Sequence, residues 1–219
     1  GQAGRSAENP AVQERERQGE RRLMRSGRRL QRPLGERRYK KLFVIAVEGE
    51  KTEPLYFSIF NDDSRVVHVR CLEGKTESAP PHVLQRMVRY LADKEADLKK
   101  TDEAWLVVDK DEWSEQQLLP LHQWVSKRKR NRPERGFAVS NPSFEYWLLL
   151  HFEDGNGIAD LRQCLRRLRQ HLPESGKSID PQWFSEEMIR KAVERARKRN
   201  KPPCTDWPRN PGCTTVYLL

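Results

Sequence analysis

Carboxylates are concentrated immediately after two apolar segments of this 219-residue chain, residues 42–47 and 104–108. These acidic residues are Glu48, Glu50, Glu53, Asp109 and Asp111. Like charges this close together raise one another's pKa unless a cation lies among them. Lys51 and Lys110 supply some positive charge, but a hard divalent cation, Mg²⁺ or Mn²⁺, would neutralise the group better because such ions prefer carboxylate oxygens. The pattern therefore predicts a metal site.

The residues that follow the second apolar segment, 109–111, have the form Asp-Lys-Asp. In an extended backbone, Asp109 and Asp111 point to the same side and Lys110 points to the other. Such a pair, joined by a glutamate from a neighbouring strand, can hold one or two metal ions and so support phosphoryl transfer. Each acidic segment alone is more typical of a solvated loop, whereas the two together favour metal-dependent chemistry.

The elements that must position these acids alternate between strand and helix. The predicted strands are Leu42–Val47, Val66–Leu72, Ala104–Val108 and Gly136–Val139, and the predicted helices are Glu53–Asn61, His82–Lys99 and Ser114–Lys127. This order predicts an α/β fold, in which a parallel sheet of about four strands is flanked by helices. Ligands bind such sheets beyond the carboxyl ends of the strands. If the first and third strands are neighbours, the acids converge at one edge.

The chain divides into three parts. Residues 1–41 hold 13 Lys and Arg against 5 Asp and Glu, a net charge of +8 out of the total of +10. We interpret them as a basic, flexible arm, which is either a solvated tail or a segment that contacts nucleic-acid phosphates. Residues 42–140 form the predicted catalytic core. Residues 141–219 are predicted to be a helical region that packs on this core.

The C-terminal region adds one acidic candidate and two basic segments. Glu145 lies in the first turn of an apolar predicted helix, Phe144–Phe152, where it either interacts with the helix N-terminus or serves as a further metal ligand or substrate-positioning group. His151 is interpreted as a packing residue. The basic segments 162–171 and 189–201 are either solvated helix faces or contacts for a nucleic-acid backbone.

Composition excludes several classes of protein. No segment has the apolar length of a membrane span or the apolar core of a signal peptide, which favours a cytoplasmic protein that does not act at a membrane. The four cysteines lack the spacing of a zinc site, and a reduced state is favoured. There is no GxxxxGK[ST] segment, which argues against a P-loop enzyme.

The acidic segments also carry a family resemblance. A glutamate after the first strand and a DxD after the third resemble the TOPRIM catalytic domain of topoisomerases, primases and OLD-type nucleases. More closely, VEGEKTEPLYF (47–57), VVDKDEW (107–113), NPSFEYWLLLHF (141–152) and the final TTVYLL resemble the RloB family, from about residue 40 to the end. No nucleophilic tyrosine tied to a DNA-gate domain is found, which argues against strand passage.

The resemblance implies a TOPRIM-like nuclease fold, an association with prokaryotic phage-defence loci and, in some cases, a partner ATPase of the RloA type. In the TOPRIM pattern Glu48 is a metal ligand or general acid/base, and Asp109 and Asp111 hold Mg²⁺ or Mn²⁺. Glu50 and Glu53 go beyond that minimal motif and could serve a second metal ion. Lys51 is placed to stabilise charge on the scissile phosphate or to pair with the acids.

Three functions are compatible with these residues. The leading hypothesis is a metal-dependent nuclease that cleaves DNA or RNA in anti-phage defence. The second is a non-cleaving effector or adaptor that binds nucleic acid or an ATPase partner. The third is a metal-dependent nucleotide phosphotransferase, whose chemistry at the sheet edge would be similar. Neither the oligomeric state nor the choice between DNA and RNA follows from the sequence.

Overall fold

The computed structural model of the protein describes residues 41–61, 66–74, 79–110, 113–127, 132–173 and 178–219. Its strands are β1 (Lys41–Val47), β2 (Val67–Leu72), β3 (Glu103–Asp109), β4 (Glu134–Asn141) and β5 (Cys213–Thr214). They form one sheet in the order β2-β1-β3-β4-β5. The first four strands are parallel, which confirms the prediction, and β5 pairs antiparallel with β4. The segment from 141 onwards, predicted as helical, therefore also contributes a strand.

The helices of the described residues are α1 (Thr52–Ser58), α2 (Pro80–Asp93), α3 (Glu115–Ser126), α4 (Phe144–Leu149), α5 (Leu161–His171) and α6 (Glu186–Arg199). Single turns of 3₁₀ helix lie at Pro181–Trp183 and Val216–Leu218. Helix α2 ends at Asp93, short of the predicted end at Lys99. Residues 92–97 are all exposed, so this stretch has no buried apolar side chain to hold it helical against the sheet.

Helices cover both faces of the sheet because the strands alternate their apolar side chains between the two faces. On β1, Val44 and Ala46 belong to a core with α2 and α3, whereas Ile45 and Val47 belong to a core with α1, α4, α5 and α6. These four side chains are at most 1% exposed. Burial on both faces explains why β1 and β3 read as continuous apolar runs.

The order of the strands makes one position special. Strand β2 lies on one side of β1 and β3 lies on the other, so the direction in which the chain adds strands reverses between β1 and β3. A crevice forms at such a point, beyond the carboxyl ends of the two strands. The register pairs Val47 with Val107, so the residues that follow both strands lie at the same edge.

The predicted arm, 1–41, lies outside the described residues except for Lys41, which begins β1. The prediction that it is flexible or contacts phosphates therefore stays a prediction. Every helix in the described part of the chain is too short or too polar to cross a lipid bilayer.

Candidate active site

Glu48 joins the ends of β1 and β3. Its Oε2 atom accepts a hydrogen bond from the backbone N–H of Asp109 at 3.1 Å. Its Oε1 atom accepts one from the indole Nε1 of Trp113 at 2.8 Å. The predicted convergence of Glu48 and Asp109 is therefore observed, and two donors fix the orientation of the Glu48 carboxylate.

Asp109 also connects the ends of β1 and β3 to the start of helix α4. Its Oδ1 atom accepts a hydrogen bond from the backbone N–H of Phe144, at 2.8 Å, where α4 begins. Ser143 precedes this helix, but its side chain makes no capping hydrogen bond. Its hydroxyl instead donates to Glu145 Oε2 at 2.6 Å. An aspartate from the neighbouring strand thus satisfies a helix N–H that local side chains usually satisfy.

Glu53 is the buried acid of the site, with 5% of its surface exposed. Its Oε1 atom accepts a hydrogen bond from the backbone N–H of Gly49 at 2.9 Å. Burial raises the pKa of Glu53, and the nearby charge of Glu145 raises it further. A Cβ at position 49 would lie 2.2 Å from Glu53 Oε2, so glycine is required for this close approach.

These residues line one cleft of about 430 Å³ at the reversal point of the sheet. Its lining residues are Glu48, Gly49, Glu50, Lys51, Thr52, Glu53, Asp109, Phe144 and Glu145. Glu50 and Lys51 are exposed, whereas Glu48, Asp109 and Glu145 are half-buried. Six of the seven predicted site residues thus lie in this cleft, and the seventh, Asp111, falls outside the described residues.

Five carboxylates and one lysine give the cleft an excess of negative charge. Glu53 and Glu145 form no ion pair with any described lysine or arginine. Among the described residues Lys110 forms no ion pair with these acids, and its Nζ atom instead donates to the backbone carbonyl of Trp113 at 2.7 Å. This excess charge favours binding of a cation.

The ligand types fit Mg²⁺ or Mn²⁺, because the five acids of the cleft offer carboxylate oxygens. Within the described ranges, however, no three Asp, Glu, His or Cys side chains converge closely enough to hold a metal ion. Any complete ligand set would need a side-chain rearrangement or Asp111.

Sequence reasoning missed three contributors to the site. Trp113 orients Glu48 through its indole N–H. Arg86, on α2, donates to the carbonyl of Val47 at 2.6 Å and brings a guanidinium to the end of β1. Gly49 allows the close approach of Glu53. Only Gly49 carried a sequence signal, as a glycine between two glutamates directly after a strand.

His151 is positioned as a packing residue, in agreement with the sequence interpretation. It is 2% exposed, and its Nε2 atom lies 3.0 Å from the Tyr56 hydroxyl. Its Nδ1 atom lies 3.0 Å from the carbonyl of Trp147. Burial lowers the pKa of His151 to about 4, so the imidazole is neutral at physiological pH.

Comparison with protein families finds that the RloB-like protein family matches residues 43–219. The chain belongs to the RloB-like family. The match spans both acidic segments and the block around Glu145, so the cleft of this RloB-like protein lies wholly within the matched region. Searches of curated proteins and of solved structures each found no match. The likeness to TOPRIM domains stays a prediction.

Proposed function

We propose that this RloB-like protein is a nuclease that hydrolyses phosphodiester bonds of DNA or RNA with the help of Mg²⁺ or Mn²⁺. The observation that carries the proposal is the hydrogen bond from the Asp109 backbone to Glu48, which brings acids from two distant segments together at the reversal point of the sheet. Acids at this edge are the arrangement that metal-dependent phosphoryl chemistry needs.

The chain's own residues divide the work. Glu48 and Asp109, together with Asp111, would hold the metal ion, and Glu50, Glu53 and Glu145 could complete its ligands or hold a second one. The bound ion would stabilise negative charge on the phosphate and lower the pKa of an attacking water. Lys51 is exposed at the same cleft, where its ammonium group can attract the substrate phosphate.

Membership of the RloB-like family supports the proposal that this activity acts in anti-phage defence in the cytoplasm, where an ATPase of the RloA type is a candidate partner. A nuclease that destroys nucleic acid inside the cell would need to be held inactive until infection, and a partner ATPase could provide this control. Co-purification of the chain with an ATPase expressed beside it would support this part of the proposal, and its absence under activating conditions would oppose it.

The test is cleavage of labelled DNA and RNA, single- and double-stranded, by the full chain, alone and with its ATPase partner. Cleavage should occur with Mg²⁺ or Mn²⁺, stop with EDTA, and be lost in Asp109→Asn. The matched control is Asp93→Asn, which removes an exposed carboxylate at the end of α2. Equal cleavage by Asp109→Asn and the wild type would overturn the proposal.

One observation favours a second function, a non-cleaving effector that binds nucleic acid or an ATPase. Both oxygens of Glu48 already accept hydrogen bonds, and no three-ligand group exists among the described residues. An adaptor would co-purify with its partner and retain that binding in Asp109→Asn, but it would cleave nothing under any metal condition. The cleavage assay therefore separates the two functions.

A further inference from the structure

Three arginines form a stripe on the solvent side of α5. Arg162, Arg166 and Arg169 are exposed and follow one another at helical spacing, four and three residues apart, so they lie on one face. Together with Leu165 and Gln170 they line a shallow hollow of about 570 Å³. We call these three residues the arginine stripe.

The arginine stripe differs from most other basic residues of α5 and α6 because its charges have no partner among the described residues. No described residue forms a hydrogen bond or ion pair with any of the three. The neighbouring basic residues instead pair with acids: Arg167 with Glu153, Arg190 with Glu186, Lys191 with Glu187, and Arg195 with Asp154. In the second basic segment, Arg197 and Lys198 also lack an ion pair with a described residue, but Arg197 lies against the Tyr217 ring. The arginine stripe is instead a run of three exposed arginines on one face of one helix.

We propose that the arginine stripe binds the phosphate backbone of a nucleic acid. Guanidinium groups bind phosphate oxygens through two parallel hydrogen bonds, and they lose less hydration than an ammonium group when they do so. Arg162 and Arg169 are separated by about 10 Å along the helix, at 1.5 Å per residue. Measured along the axis of a duplex, that length corresponds to about three phosphates of one strand, at a rise of 3.4 Å each.

The opposite side of α5 connects the stripe to the acidic cleft. Cys164 is buried on that side, and burial, together with the charges of Glu145 and Asp109 among others, raises the pKa of its thiol to about 12. Helix α5 packs against α4, which carries Glu145 in its first turn. The stripe is thus one helix away from the cleft. The inference deepens the proposed function by adding a surface that holds the substrate. Binding of nucleic acid by the arginine stripe does not, however, require cleavage.

The test measures the binding of fluorescently labelled DNA and RNA duplexes and single strands to the full chain, by anisotropy in EDTA. In the triple variant Arg162→Gln, Arg166→Gln and Arg169→Gln, affinity should fall by roughly tenfold or more, and the slope of log affinity against log salt should become shallower by about 2 to 3. The control, Lys94→Gln, Arg190→Gln and Lys191→Gln, removes the same charge from residues that pair with acids, and it should bind almost as the wild type does.

Two further variants guard against a folding defect. Arg166→Gln alone should make the salt slope shallower by about 1. The triple variant Arg162→Lys, Arg166→Lys and Arg169→Lys should keep the wild-type salt slope but bind more weakly. Lysine keeps the positive charge but lacks the planar guanidinium that donates two parallel hydrogen bonds. Equal loss of binding in the stripe and control variants, or binding by neither the variants nor the wild type, would overturn the inference.

The cleavage assay keeps this inference separate from the proposed nuclease activity. If the wild type cleaves with metal and the stripe variant binds normally, the stripe inference is wrong and the nuclease proposal stands. If binding depends on the stripe but the wild type and its ATPase complex cleave nothing, the stripe inference stands and the nuclease proposal is wrong.

Discussion

The Glu48 carboxylate accepts the backbone N–H of Asp109 at 3.1 Å, although the two residues are 61 positions apart in the sequence. This hydrogen bond connects the ends of β1 and β3. The Trp113 indole N–H, which follows β3 in the chain, donates to the other oxygen of the same carboxylate at 2.8 Å. The same carboxylate that we propose as a metal ligand therefore also holds the edge of the sheet together. Substitutions at this edge should separate the structural contribution from the chemical one.

Replacing Glu48 by alanine should destabilise the fold. The Asp109 N–H and the Trp113 indole N–H would each lose an acceptor, and an unsatisfied, partly buried donor lowers the free energy of unfolding by about 1–3 kcal/mol. Urea unfolding measures the change. Glu50→Ala is the matched control, because Glu50 lies in the same cleft but is exposed and makes no described hydrogen bond. Equal stability of the two variants would show that Glu48 has no structural role.

Asp109 should show two separable roles. Asp109→Asn keeps an oxygen that can accept the Phe144 N–H, so its stability should stay close to that of the wild type. Asp109→Ala removes this cap on α4 and should destabilise the protein by about 0.5–2 kcal/mol. Both variants should lose cleavage, because both remove the charge of the proposed metal ligand. Cleavage retained by Asp109→Asn but not by Asp109→Ala would assign Asp109 a purely structural role.

Gly49 and Glu53 should be energetically coupled. In Gly49→Ala the new Cβ would meet the Glu53 carboxylate at 2.2 Å, so the buried side chain must move, which should weaken the hydrogen bond that it accepts from the position-49 N–H. We expect lower stability and lower activity. With Glu53→Ala already present, Gly49→Ala should have little effect, and a double-mutant cycle by urea unfolding measures the difference. Strictly additive effects would contradict the contact.

His151 should make stability depend on pH. Burial lowers its pKa to about 4 from an ordinary value of 6.5, so the unfolded chain binds more protons than the folded protein between these values. The contribution of neutral His151 to the free energy of unfolding should therefore be fully present above pH 6.5. It should be lost as the pH drops towards 4, which lowers the free energy of unfolding by up to about 3 kcal/mol. The loss should be much smaller in His151→Gln.

Unfolding by urea at several pH values between 4 and 7 tests the role of His151. His68→Gln, at an exposed position, is the matched control and should keep the wild-type dependence on pH. If His151→Gln and the wild type lose stability in parallel as the pH falls, the buried imidazole is not responsible for the loss.

Much of the fold followed from the sequence because burial on both faces leaves a simple pattern. Strands β1 and β3 are continuous apolar runs, and the carboxyl ends of neighbouring parallel strands must meet, so Glu48 and Asp109 could be placed at one edge without coordinates. Strand β5 was missed because it has only two residues, Cys213 and Thr214, and pairs with a strand far away in the sequence.

Details of the site were less predictable for a physical reason. The N–H of Phe144 is capped by Asp109 from another strand, and no local sequence rule encodes a contact between residues 35 positions apart. Trp113 likewise belongs to a quoted motif, but its role as a donor to Glu48 depends on the path of the loop after β3. Tertiary contacts, rather than local patterns, decide such roles.

The central claim is that the carboxylates of the cleft share a divalent cation. Crystals of the full chain soaked in Mn²⁺ test it most directly, because anomalous scattering locates the metal without assumptions about its ligands. We predict an anomalous peak in the cleft, with oxygen atoms of Glu48 or Asp109 about 2.1 Å away, and no peak there in Asp109→Asn crystals. A cleft without an anomalous peak at saturating Mn²⁺, in wild-type crystals that diffract well, would contradict the claim.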